Sequence, residues 1–157
     1  MASKEIDLGN LPINVAKENY DLFFNQQAKQ ETKSNRAVFK TDYQRFIWAF
    51  VLGIKVGKRT RIEGKKENSF KWGNIPADAK SIIMGLTLQE LYSSSPDQLT
   101  NDLETKGSEG LSEQIRQAIE EYANTGFIEI RKKTIYNEYY IEDFEAVIED
   151  ILKNNEV

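Results

Sequence analysis

The residue types in "PDQLTNDLETK" that can do chemistry are Asp97, Glu104 and Lys106, two acids and a lysine of the sort with which metal-dependent nucleases hold magnesium and activate water. In such enzymes the acids and the lysine stand on adjacent strands. Here Ser95 and Pro96 announce a helix, and Glu104 follows Asp97 after only six residues. Glu63, Gly64 and Lys65 repeat the E-x-K spacing, again without a strand around them. Glu120 with Glu121, and the cluster Glu142, Asp143, Glu145, Glu149 and Asp150, supply further carboxylates, but such runs on amphipathic helices are as a rule solvated faces. The chain has no histidine and no cysteine, which excludes serine–histidine triads, thiolate nucleophiles, disulfides and zinc held by Cys or His. "LGIKVGK" sets Gly53, Gly57 and Lys58 at a helix end without the spacing of a phosphate loop. No catalytic residue, metal ligand or cofactor is therefore expected, and a small metal-dependent nuclease stands only as the alternative.

Binding is better represented. "GIKVGKRTRIEGKKENSFKW", residues 53 to 72, carries seven Lys/Arg against two Glu in a chain of net charge −4. Lys55, Lys58, Arg59, Arg61, Lys65, Lys66 and Lys71 can each neutralise a phosphate, and Trp72 or Phe70 can stack on an unpaired base. The competing expectation is that Phe70 and Trp72 anchor the loop in the core while its charges sit in water or face a protein. Residues 1–75 sum to +6 and residues 76–157 to −10. That polarity suits a protein that meets one partner with its basic end and another with its acidic end.

These residues need a scaffold, and 157 residues, 39% of them hydrophobic and 29% charged, suffice for one domain without disulfides. The start, "MASKEIDLGN", is polar and acidic and resembles no targeting segment, so residues 1–12 are expected to be a flexible terminus and residues 13–157 a single helical domain. The longest apolar run, Phe46 to Ile54, has nine residues against the roughly 20 that span a bilayer, which points to a cytoplasmic protein with no membrane partner.

The predicted fold is mainly α, a bundle of five or six helices. Ala16, Tyr20, Phe23, Phe24 and Gln27 suggest a first helix over about 14–30. Thr41 and Gln44 form a capping-box pattern ahead of a central helix in which Tyr43, Phe46, Ile47, Phe50, Val51 and Ile54 share one face, with Gly57 as its stop. Gly64 marks a turn, and Phe70, Trp72 and Ile75 lead back to the core. Further helices are expected over about 77–92, from Ser95 and Pro96 onward for a short stretch, then after a mobile "ETKGSEG" link along Leu111, Ile115, Ala118, Ile119 and Tyr122 up to Gly126. Residues 127–140 fit either a small β-hairpin or a helical continuation, and Tyr140, Phe144, Val147, Ile148 and Ile151 mark a C-terminal amphipathic helix.

In order, "YQRFIWAFVLGIKVGKRT", "FKW", "IIMGLTL" and "IEEYANTGFIEI" resemble a family of small bacterial proteins encoded beside DNA-phosphorothioation genes and described as Dnd-system-associated. The resemblance covers roughly residues 38–130. Its signature is matched by Glu120, Glu121, Tyr122, Ala123, Asn124 and Gly126, although capping would by itself account for Asn124 and core packing for Tyr122. The resemblance implies an accessory subunit of a defence locus; taken with the charges, the basic loop is expected to meet DNA or an acidic partner, and the acidic C-terminal half a larger protein of a defence complex. An inhibitor encoded by a phage or plasmid and directed at a host protein is the third possibility.

Overall fold

The computed structural model describes residues 8–9, 11–21 and 42–134. Over these residues the protein is mainly helical with a small antiparallel sheet. The order is β1 (Pro12–Ala16), α1 (Lys17–Asn19), α2 (Asp42–Val56), β2 (Lys66–Lys71), a 3-10 turn at Trp72–Asn74, α3 (Ala77–Tyr92) and α4 (Asp97–Thr134).

The expected first helix is corrected at its start. Residues 12–16 are extended and pair antiparallel with β2, from Pro12 opposite Lys71 to Ala16 opposite Lys66, with a register shift between Ile13 and Asn14. Ile13 and Val15 are both buried, a two-residue alternation that competes with the helical spacing of Ala16 and Tyr20. A strand partner some fifty positions away decides the contest. Helix does follow at Lys17–Asn19, whereas the expected helix from residue 22 on, the polar connection after it, Thr41 of the capping box and the C-terminal amphipathic helix lie outside the described residues. Leu8 is buried and the Leu11 carbonyl accepts the Trp72 N–H, so the chain is docked on the core before residue 13.

The central helix stands as expected. Phe46, Ala49, Phe50 and Leu52 of α2 have no exposed surface, and Gly57 ends it at φ 73°. Phe46 meets Phe70 edge-on at 5.1 Å and Phe127 at 6.4 Å. Full burial of each such ring stabilises the fold by roughly 1.5–3 kcal/mol. Trp72 and Ile75 close the same core as expected. In α3, Ile83 packs inward, whereas its neighbour Ile82 is 59% exposed.

The two helices expected after Ser95 are both present within Asp97–Thr134, here α4, and meet at a kink at Gly107, where φ 72° and ψ 173° leave helical space. The "ETKGSEG" link is thus a bend. That backbone region is open essentially to glycine alone. A hydrogen-bonded group spans the bend: the Tyr92 hydroxyl donates to Asp102 Oδ2 at 2.7 Å, Gln98 Nε2 donates to Asp102 Oδ1 at 2.8 Å, and Gln114 Nε2 donates to the Tyr92 hydroxyl at 2.9 Å. Burial and the neighbouring carboxylate push the Tyr92 phenol up to about 12, and the Tyr92 hydrogen bond, followed by that from Gln98, holds Asp102 below the usual carboxylate range.

Two further expectations change at the C-terminal end of α4. Residues 127–134 continue the helix, which removes the hairpin from that part of 127–140; the remainder lies outside the described residues. Gly126 does not end the helix. It is there because α2 and α4 touch backbone to backbone: a Cβ on Gly126 would lie 1.7 Å from the Ala49 carbonyl oxygen, and one on Gly53 would lie 1.8 Å from the Tyr122 carbonyl oxygen. Only glycine admits so close an approach at both points.

Candidate partner-binding surface

The close crossing of α2 and α4 fixes where the chain leaves α2, and the basic loop from Gly57 to Lys65 then lies along α4. It is fastened there through its backbone. Thr60 N–H donates to the Glu121 carbonyl at 3.2 Å, Asn124 Nδ2 donates to the carbonyls of Thr60 at 3.1 Å and Arg61 at 3.4 Å, and Thr125 Oγ1 donates to the Lys58 carbonyl at 2.8 Å. The hydroxyls of Thr60 and Thr125 are 2.8 Å apart, and Ile62, 8% exposed, plugs the loop into the core. At its far end the Lys65 carbonyl accepts the Lys17 N–H at 2.9 Å. With the carbonyls turned inward, the side chains of Lys58, Arg59, Arg61, Lys65 and Lys66 are all exposed, as are Lys55 and Lys71 to either side.

Ion pairing divides these cations. Arg59 meets Glu121 at 3.3 Å, while Lys55, Lys58, Arg61, Lys65, Lys66 and Lys71 have no salt-bridge partner among the described residues. Of the two carboxylates in the segment, Glu67 faces Lys17 at 3.7 Å and Glu63 is exposed. A protein of net charge −4 thus keeps six cations on one short stretch outside any salt bridge among the described residues. The two aromatics of the segment face the other way. Trp72 is 2% exposed, and Phe70 is half-buried with its edge against Phe46, so both serve as anchors.

The residues of the Glu-Glu-Tyr-Ala-Asn-x-Gly signature converge on this arrangement. Glu120 is buried and accepts the Asn14 N–H at 2.9 Å, closing the outer edge of β1 together with Arg116, which donates to the Pro12 carbonyl at 3.2 Å. Burial raises the Glu120 carboxyl, and the Asn14 N–H with the charges of Arg116 and Lys66 offset part of that rise. It is therefore no solvated face. Glu121 holds the loop backbone and Arg59; Tyr122 packs edge-on at 6.4 Å from Phe50, as expected of a core residue; Ala123 is buried; Gly126 admits α2. Asn124 does no capping, because the helix runs on. Its Oδ1 accepts from Asn19 Nδ2 at 3.0 Å, and Asn19 in turn accepts from Arg131 at 3.2 Å, so one buried amide joins the N-terminal segment, the loop and α4. Sequence reasoning missed Asn19, Thr60, Arg116 and Thr125. The available signal was the polar pair Asn124–Thr125 inside an otherwise apolar stretch of helix, both now 6% exposed or less.

The candidate nuclease residues do not assemble. Asp97 and Glu104 are exposed, and Lys106 bonds to Gln114 and lies 3.8 Å from Asp102, a buried carboxylate with a different set of partners. Glu63 and Lys65 are exposed on the loop, and the cluster from Glu142 to Asp150 lies outside the described residues. Among the described residues no group of three or more acids, His or Cys is placed to hold a metal ion, and no helix is long and apolar enough to cross a membrane. The crevice lined by Asn14, Phe46, Ile62, Glu120 and Phe127 has about 130 Å³ of empty space, open solvent included. Small-molecule sites start near roughly 300 Å³. Comparison with protein-family models, with curated proteins and with solved structures finds no match.

Proposed function

We propose that the protein is a non-enzymatic accessory subunit of a bacterial antiphage system linked to DNA modification, acting in the cytoplasm, with the basic loop as one binding surface and the acidic C-terminal half as the contact for a larger protein. The observation that carries this is the loop's construction. Its backbone is bonded to Glu121, Asn124 and Thr125 while its cations stay outside, an arrangement that supports binding. The position of the signature residues, which build that support, favours a role shared with the proteins it resembles.

The test is purification of the tagged chain from cells expressing its own genomic locus. A larger protein encoded by a neighbouring gene should co-elute in fixed ratio. Elution of the chain alone, or with a host protein unrelated to the locus, would overturn the accessory-subunit role, the latter in favour of an inhibitor. Magnesium-dependent cleavage of DNA that is lost in a variant combining Asp97→Asn, Glu104→Gln and Lys106→Ala would instead establish the nuclease.

A further inference from the structure

Resting on that reading of the basic loop as a binding surface, we infer that its ligand is the sugar–phosphate backbone of a double-stranded nucleic acid, gripped by charge alone and without regard to sequence. Single strands are held largely by stacking of bases on exposed aromatic side chains. The aromatics next to these cations are committed to the core, Trp72 fully and Phe70 half-buried in an edge contact with Phe46, so neither is a free stacking platform. Protein partners are held by apolar and aromatic anchors that fill pockets at the centre of an interface. From Gly57 to Lys66 the one large apolar side chain is Ile62, and it points inward. What the loop does present is positive charge: Lys58, Arg61, Lys65 and Lys66, flanked by Lys55 and Lys71, all exposed and in no salt bridge among the described residues.

A duplex is the ligand for which charge alone suffices, with one phosphate per roughly 1.7 Å of axis and a condensed counterion layer released on contact. Phosphate contacts fix position and carry no sequence information. The fastening of the loop to α4 adds a second element, because the cations are displayed on a backbone already held in place and need no ordering on binding.

The deciding experiment is fluorescence anisotropy with the full chain and three labelled probes: a duplex of about 20 base pairs, either of its strands alone, and a poly-glutamate peptide of similar charge, each in about 50 to 200 mM salt. The duplex should bind most tightly, equally well for two unrelated sequences. Its affinity should fall between about fortyfold and a thousandfold across that salt range, the span for three to six phosphate contacts. The exposed-residue variant combining Lys58→Ala, Arg61→Ala, Lys65→Ala and Lys66→Ala should lose at least tenfold in affinity, whereas Lys80→Ala, remote from the loop in sequence, should not. Equal or tighter binding of the single strand or the peptide would sink the duplex assignment and leave the loop a binding surface. Absence of binding to all three probes would remove the surface as well.

Discussion

Glu120 concentrates the consequences of burying one carboxylate. Its folded-state value lies above the ordinary 4.5, first because of burial, so the folded protein binds its proton more tightly than the unfolded chain. The contribution to stability is therefore whole below about 4.5 and is lost as pH rises through the folded value. Glu120→Gln keeps an acceptor for the Asn14 N–H and has no charge to bury. Urea denaturation should find the variant and the native protein matched at acid pH and the variant increasingly the more stable toward neutrality. A native protein that gains on the variant as pH rises would show that the Arg116 pairing outweighs burial. Asp102 behaves in the opposite sense: its carboxyl is held low, so its contribution is present at neutral pH and lost in acid, whereas the Tyr92 phenol, pushed up to about 12, gives up its hydrogen bond only in strong base.

Between elements, the crossing of α2 on α4 depends on two glycines that each face a carbonyl of the other helix. Backbone cannot move aside as a flexible side chain can. Gly126→Ala or Gly53→Ala should each cost about 3 kcal/mol, the upper part of the range for overpacking, and thermal unfolding will measure it. Gly107→Ala makes a contrasting case. No atom lies within 4 Å of the added Cβ, so its cost is purely one of backbone conformation, roughly 1–3 kcal/mol. Should circular dichroism instead show gained helix with no loss of stability, the bend would be a tolerated kink that alanine straightens, and the Tyr92–Asp102–Gln114 bonds would not be holding it.

At the scale of the whole molecule, what was legible in the sequence divides by the range of the interactions involved. The central helix was legible because Phe46, Phe50 and their neighbours repeat at the helical period within one segment, and Gly57 closes it. The two-stranded sheet was not. Its β2 strand, "KENSFK", offers almost no apolar alternation, and β1 is short enough for Ile13 and Val15 to be absorbed into a helical pattern. The cations of the loop were visible as residue types. Their fastening was hidden, since Asn124 and Thr125 reach carbonyls more than 60 positions away and nothing local distinguishes such an asparagine from a cap. Gly126 misled for the same reason: a helix end and a close helix crossing ask for the same residue.

The fastened loop also bears on digestion. Trypsin cuts after lysine and arginine but must draw several residues on either side of the bond into an extended conformation, and a loop offering Lys58, Arg59, Arg61, Lys65 and Lys66 in nine residues would ordinarily be an easy substrate. With the carbonyls of Lys58, Thr60 and Arg61 engaged and Ile62 buried, the segment has to detach from α4 before it can be cut. Asn124→Ala removes two of those bonds and strands Asn19 Nδ2, at a cost of about 2 kcal/mol. Brief tryptic digestion followed by mass spectrometry should find the bonds from Lys58 to Arg61 intact in the native protein and cleaved in the variant, so that the most basic stretch of the chain is shielded from the protease made to find it.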